Sequence, residues 1–502
     1  MHGSQARDTW SSSYRRPLPT CWALWLWRAS ASREESPNMP SPRRRLVRAV
    51  LAAIVGIYCL LGLAYATQTP KWQTPDEPAH YNYVAYVAEN LRFPTLEAGH
   101  YPHEYLEEIK AAGFPPEMSI APIRYEFHQP PFYYLMGALV YRIAGPLGFD
   151  AQFLALRLFS VLLGAILLLV AYTIVREVFP GDWLLALAAT AFIATIPMHV
   201  AMSAAINNDT LAELTVALTI WLCIRELKVG LSRRQTMLLG VLVALALLTK
   251  TTIYAPVIVS SLLALAVSAR AQGRQVLLRK LMMVYGLALL VSGWWFARNL
   301  LVYGDLDVFA WQRHDSVVLG QPTTAQWIAQ HGLGATLQQF LAVSFRSFWA
   351  QFGWMGVLID SRLYLFLAVA SLTVCVAFIV WLVRIARHPA LVSRYQRWAL
   401  LLLLLVFLLV AAAHASYNLK FVQHQGRYLF PALVPIAVAW ALGLLEWPSL
   451  IGQITTKLGA ARSRATMLVP VLRGAAFCAF YLGFLVLDLV CLYLFIVPQL
   501  GG

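Results

Sequence analysis

Long apolar runs constrain this chain more than any other feature. Residues 398–413 pass without a single charge, and ten further stretches approach the ~20 residues that a bilayer-crossing helix needs. A transmembrane β-barrel would alternate over segments of about ten residues, and these runs do not alternate. Hydrophobic residues make up 59% of the 502, and Asp, Glu, Lys and Arg only 13%, against about 25% charged in a soluble domain. An ordinary soluble enzyme, a disordered chain and a disulfide scaffold are excluded. The expected fold is an all-α polytopic membrane protein.

The candidate spans are 46–66, 155–177, 183–203, 210–227, 236–251, 253–269, 281–297, 363–383, 398–416, 429–446 and 467–497. The run 236–269 has 34 residues. As one helix it would measure about 51 Å, against about 30 Å of hydrocarbon, so two short helices broken near Lys250 are expected. The stretch 132–147 is apolar but short. Leaving it out puts the basic loops 225–234, 270–280, 384–397 and 457–464 on one side with residues 43–48, in line with the excess of Lys and Arg in cytoplasmic loops. A juxtamembrane or re-entrant helix is therefore expected there. The result is about eleven spans with a cytoplasmic N-terminus. The last span, containing Arg473 and Asp488, is long enough to be two. The net charge of +15 follows from the same loop bias and gives no reason to invoke nucleic acid. Six scattered cysteines have neither metal-ligand nor disulfide spacing.

Residues 1–45 read as a cytosolic tail, disordered over its polar, Ser- and Arg-rich part, with Met39 a possible native start ahead of Arg43, Arg44 and Arg45. Residues 46–502 read as one transmembrane domain. Its long outer loops are 67–154 and 298–362. Between positions 67 and 130 lie nine acidic residues against four basic ones, which fits either solvation or a site. No internal repeat of the kind common in secondary transporters is present.

The densest motif, Thr74-Pro75-Asp76-Glu77-Pro78-Ala79-His80-Tyr81, directly follows the first span. On a helix Asp76, Glu77 and His80 share a face. Thr74 and Glu77 also fit a capping box with proline at the first helical position, or Asp76 could be the cap. Caps account for one acid better than for two acids and a histidine. Further on, Tyr125-Glu126-Phe127-His128-Gln129-Pro130-Pro131 leads into Tyr133 and Tyr134. The prolines favour a rigid, extended entry to a helix, and the tyrosines suit an interfacial anchor. Asn207, Asn208, Asp209 and Glu213 could cap the helix from Thr210 or face the first motif as a second acidic point. Lys250, Arg298 with Asn299, and Arg427 all fall at the outer end of spans. Lys250 could snorkel to the interface. Three cations at one level, against the general bias, favour binding of an anion such as a lipid phosphate.

In order and placement these pieces resemble the GT-C superfamily of membrane glycosyltransferases, near the dolichyl-phosphate-mannose protein mannosyltransferases and the bacterial aminoarabinose transferases. The matching pieces are Asp76-Glu77, His128-Gln129-Pro130-Pro131-Phe132-Tyr133-Tyr134, Leu248-Thr249-Lys250, Trp294-Trp295-Phe296-Ala297-Arg298-Asn299 with Tyr303-Gly304-Asp305, and Gly426-Arg427-Tyr428 leading to Pro431 and Pro435. The surroundings of Asp76 and Arg427 lean towards uncharacterised bacterial members.

The resemblance implies a GT-C fold with juxtamembrane helices in the first outer loop. It also implies a multi-pass protein of the cell membrane, serving the cell envelope, with its active site on the outer face. The donor would be a polyprenyl-phosphate-linked sugar and the acceptor a hydroxyl of a protein, glycan or lipid. Asp76 would be the general base of an inverting transfer, with Glu77 beside it. Lys250, Arg298 and Arg427 would hold the donor phosphate. His80, His128, Tyr133, Asp209 and Asn299 would line the substrate site. Some relatives use a divalent ion, and Asp76, Glu77 and Asp209 could offer hard oxygen ligands to Mg²⁺ or Mn²⁺. A transporter or flippase of a lipid-linked or anionic substrate would use the same cations. It would place them nearer the bilayer midplane.

Overall fold

The computed structural model describes residues 41–457 and 462–501. The expected tail up to residue 40, with Cys21, and residues 458–461 of the 457–464 loop lie outside them. Among the described residues, eight helices are long and apolar enough to cross a membrane, and the pair Trp183–Ala194 and Pro197–Ser203, bent by 65°, counts as a ninth. The bend falls where Pro197 cannot continue the helix's hydrogen bonding. The two remaining expected spans are helices as well: α5 (Asp209–Val229) and α6 (Arg233–Leu247). The first carries five charged residues and the second is only 15 residues long.

The long run 236–269 breaks where expected. After α6, Lys250 takes an extended backbone (φ −159°, ψ 136°), a short 3₁₀ turn follows, and α7 starts at Tyr254 (Tyr254–Gln272). The last span is a single run, Leu468–Leu500, rather than two. Its Arg473 pairs with Asp182 at 2.5 Å.

Ahead of these, α1 (Ser41–Gln68) is the first span, and α2 (Glu77–Asn90) and α3 (Phe132–Ala144) are the helices of the first long loop. The expected short helix at 132–147 is thus present. The second span is α4 (Phe149–Val178). Gly137 of α3 lets the two loop helices close together, since a Cβ there would stand 2.9 Å from Val84 Cγ2.

The basic loops meet at one end of the bundle. Arg225 and Lys228 at the end of α5 both bind Glu177 at the end of α4, each at 2.6 Å, and Lys280 binds Glu226 at 2.5 Å. The Tyr395 hydroxyl donates to the Glu177 carbonyl at 2.9 Å. The start of α2, the Lys250 break and the Gly426–Ala432 turn are joined to one another through the side chains described next.

Candidate active site

A buried ion pair fixes the ground on which the site is built. Arg157 on α4 donates to both oxygens of Glu77, at 2.8 and 2.7 Å. It also donates to the carbonyls of Ala66, Thr69 and Pro70, at 2.9, 2.7 and 3.1 Å. Glu77 in turn accepts from the backbone N–H groups of Trp72 and Ile206, at 3.1 and 3.2 Å. Each partner's side chain is at most 2% exposed. The pair ties the end of α1, the start of α2, α4 and the loop before α5 into one knot.

Glu77 is therefore neither in a capping box with Thr74 nor among the residues around Asp76. Its carboxylate is spent on Arg157 and two backbone donors. Removing one partner of a buried pair typically costs about 3–5 kcal/mol, more than the 0.5–2 kcal/mol of a lost cap. Glu77→Gln is accordingly expected to lower folding stability by several kcal/mol, read as a fall in thermal midpoint and folded yield in detergent. A loss of activity without a loss of stability would contradict this role.

The knot aims Asp76. This residue has left-handed backbone geometry (φ 68°, ψ −8°) at the N-terminus of α2, a conformation that costs a non-glycine residue energy and tends to persist at functional positions. Its side chain caps nothing. Instead Oδ1 accepts from the Tyr125 hydroxyl at 2.7 Å and Oδ2 binds the Arg427 guanidinium. Arg427 also faces Asp209 at 3.7 Å, and Asp209 binds Lys250. Asp76, Arg427, Asp209 and Lys250 thus form one chain of alternating charge. Its members come from the start of α2, the 426–432 turn, the start of α5 and the 250 break. The side chains of Asp76, Asp209 and Lys250 are 25%, 18% and 13% exposed, while that of Arg427 is 3% exposed.

Gly426 is what brings Arg427 so close. Its N–H donates to Ser347 Oγ at 2.6 Å, and a Cβ would lie 2.1 Å from the Ser344 carbonyl oxygen. Only glycine fits there. Arg427 Nε is steadied by Gln425 Oε1 at 2.6 Å.

Burial pushes the Asp76 carboxyl up, but Arg427 and His80 outweigh it and hold it at about 2. His80 is itself pushed down to about 3, chiefly by burial. It is neutral at pH 7, so the effect at that pH belongs chiefly to Arg427, with the Tyr125 hydrogen bond adding to it. Its Nδ1 is paired with the Tyr134 hydroxyl at 2.8 Å. Glu126, next to Tyr125, behaves oppositely. Burial first, and then the Asp76 charge, push its carboxyl up to about 8. Two neighbouring acids are thereby separated into an ionised and a protonated one at neutral pH.

The other expected site residues are dispersed. Tyr133 points to α4, where its hydroxyl meets Ser160 Oγ at 3.1 Å. His128 donates from Nδ1 to the Tyr125 carbonyl at 2.9 Å, and its ring lies 4.6 Å from that of His314. Arg298 turns to Pro94, Thr95, Asn299 and Tyr303 rather than to Asp76 or Asp209. Its NH2 donates to the Pro94 carbonyl at 2.5 Å, and Asn299 donates to the Val308 carbonyl at 3.0 Å. The Arg298 bond ties the two long loops together, and the Asn299 bond closes a turn within the second. Asp209 begins α5 as supposed, but its carboxylate goes to Lys250 rather than to a cap. Tyr125 and Glu126 were not singled out from the sequence. No group of three or more His, Cys, Asp or Glu side chains suited to a metal converges among the described residues. Asp76 and Asp209 are each matched to a cation and Glu77 lies apart, so this donor set does not fit a resident Mg²⁺ or Mn²⁺.

Residues 128–295 match the family model of dolichyl-phosphate-mannose-protein mannosyltransferases. That match takes in about a third of the chain. The match covers Asp209 and Lys250 but stops short of Asp76 and Arg427, which geometry alone joins to them. No curated protein sequence matches the chain. Among solved structures, the chain is similar to the oligosaccharyltransferase AglB of Archaeoglobus fulgidus, in complex with an inhibitory peptide and a dolichol-phosphate. Identity is 15% and the TM-score 0.47, over 87% of this chain and 56% of that one. It is also similar to ArnT of Cupriavidus metallidurans bound to undecaprenyl phosphate, at 14% identity and a TM-score of 0.45, over 90% of this chain and 73% of that one. The chain spans little more than half the length of AglB.

Proposed function

We propose that this protein transfers a sugar from a polyprenyl-phosphate-linked donor to an acceptor hydroxyl at the outer membrane face, with inversion. The observation that carries the proposal is the junction of a partly exposed carboxylate, Asp76, with Arg427, Asp209 and Lys250. Asp76 takes the proton of the acceptor hydroxyl as that oxygen bonds to the anomeric carbon. The bond from that carbon to the phosphate oxygen breaks, and its electron pair leaves with the phosphate. The growing negative charge needs cations already in place. Arg427 offers a two-pronged donor and Lys250 a compact charge.

In the unloaded protein both cations are occupied by Asp76 and Asp209. A donor phosphate that takes Arg427 from Asp76 removes the main influence holding that carboxyl near 2. The carboxylate then becomes a stronger base when the donor arrives. The direct test supplies purified protein with labelled polyprenyl-phosphate sugar and a range of acceptors in liposomes. Transfer of label to a hydroxyl acceptor supports the reading. Movement of intact donor across the bilayer without transfer supports a flippase instead.

Glu126 gives the site a pH dependence of known sign. Its carboxyl ordinarily titrates near 4.5 and here near 8, so between those values the folded protein binds more protons than the unfolded one. Stability from this group therefore falls as pH rises across that window. The thermal midpoint of Glu126→Gln is expected to gain on that of the wild type from about pH 5 to pH 8.5. Parallel midpoints would remove Glu126 from this role.

A further inference from the structure

The two helices that frame the site also leave a groove between them beyond it. Between the C-terminal part of α2 and α3, lined by residues 87–93 and 135–142, lies a groove of about 220 Å³, room for roughly seven water molecules at their liquid volume. Its floor is apolar and includes Ala88 and Ala138, and two arginines line it, Arg92 and Arg142. Among the described residues neither has an acidic partner. Arg92 only lies over the Tyr86 ring, at 5.7 Å.

The groove opens beside an apolar stripe. Leu135, Leu139 and Ile143, four residues apart on α3, are 43%, 62% and 70% exposed, and Leu91 at the end of α2 is 74% exposed. Helical spacing puts those three on one side of α3, as in a helix that lies in the membrane interface. Phe93, which lines the groove, sits 5.4 Å from Trp294, and tryptophan marks the headgroup level. Two unpaired cations above an apolar stripe are complementary to an anionic headgroup with acyl chains.

We propose that the α2–α3 groove binds an anionic glycerophospholipid, its phosphate between Arg92 and Arg142 and its chains along Leu91, Leu139 and Ile143. The groove is separate from the Asp76 cluster, and the proposal does not depend on the transfer reaction. A lipid held there bridges the two helices that carry His80 and Tyr134.

The test is native mass spectrometry of purified protein given equal amounts of phosphatidylglycerol and phosphatidylcholine. Wild type is expected to retain phosphatidylglycerol about thirtyfold over phosphatidylcholine, two interfacial arginines acting on one anionic lipid. Arg92→Gln with Arg142→Gln should abolish the preference, and Arg92→Lys with Arg142→Lys should restore most of it. Both arginines are exposed, so the fold should tolerate either pair, and the lysine pair serves as the check. Equal retention of the two lipids by wild type, or an unchanged preference in the glutamine pair, would overturn the proposal. Displacement of phosphatidylglycerol, one for one, by sugar-free polyprenyl phosphate would also overturn it, by giving the groove to the donor.

Discussion

Asp76→Asn is expected to lower sugar transfer by at least about 10²-fold, within the 10²–10⁴-fold range of general base catalysis, while the protein still folds and binds donor. Asparagine is nearly the size of aspartate and tolerates left-handed backbone geometry better than most residues, so the φ of 68° at this position remains accessible to it. Its carbonyl can still accept from Arg427, and its amide N–H can donate to the Tyr125 hydroxyl oxygen. Only the basic oxygen is lost. The knot of Glu77 and Arg157 does not involve the Asp76 side chain and is untouched. Donor affinity should stay within a few-fold or improve, since Arg427 loses an anionic competitor for phosphate. The measurement pairs a transfer rate with donor binding on the same folded preparation. Normal transfer by a folded, donor-binding Asp76→Asn protein would end the assignment of Asp76 as the base.

The contrast between Asp76 and Glu77 shows what the sequence could and could not convey. A proline-flanked acidic pair just after a membrane span was conspicuous, and its local spacing fitted a cap. The true partner of Glu77 is 80 positions away. A signal for it existed, because an arginine in an apolar span such as Arg157 is costly unless paired, and Glu77 lies near the same end of the span. The Lys250 break was legible for a physical reason: the apolar run was too long for one bilayer crossing. Arg298 was read with Lys250 and Arg427 because all three fall at the same depth. Depth says nothing about direction, and Arg298 turns to the Pro94 carbonyl. Tyr125 and Glu126 were hidden among many aromatic and acidic residues of the same loop. Their importance comes from where the 3₁₀ turn Tyr125–His128 sets them against Asp76. No local pattern encodes that meeting.

Arg427 gives the other large expected effect, because it touches both Asp76, the proposed base, and the proposed phosphate position. Arg427→Ala is expected to reduce turnover by about 10²–10³-fold, the range for loss of one preorganised donor to a developing anion, and to weaken donor binding as well. Arg427→Lys should recover part of each, since charge is kept but the two-pronged geometry is not. Lost contacts alone would give a similar ranking, so the pH profile is the sharper readout. With Arg427 present, the Asp76 carboxyl stays ionised down to about pH 2. Burial is the largest influence on it and acts upward, so without the guanidinium the carboxyl must rise. The acid limb of kcat/KM, which reports the free enzyme, should therefore lie at a higher pH in Arg427→Ala than in the wild type. A second change, Arg427→Ala in an Asp76→Asn background, should remove that acid limb, because no carboxyl remains to be protonated. An acid limb at the same pH in wild type and Arg427→Ala would mean that the ion pair does not govern the base, and the coupling of donor arrival to base strength would fall with it.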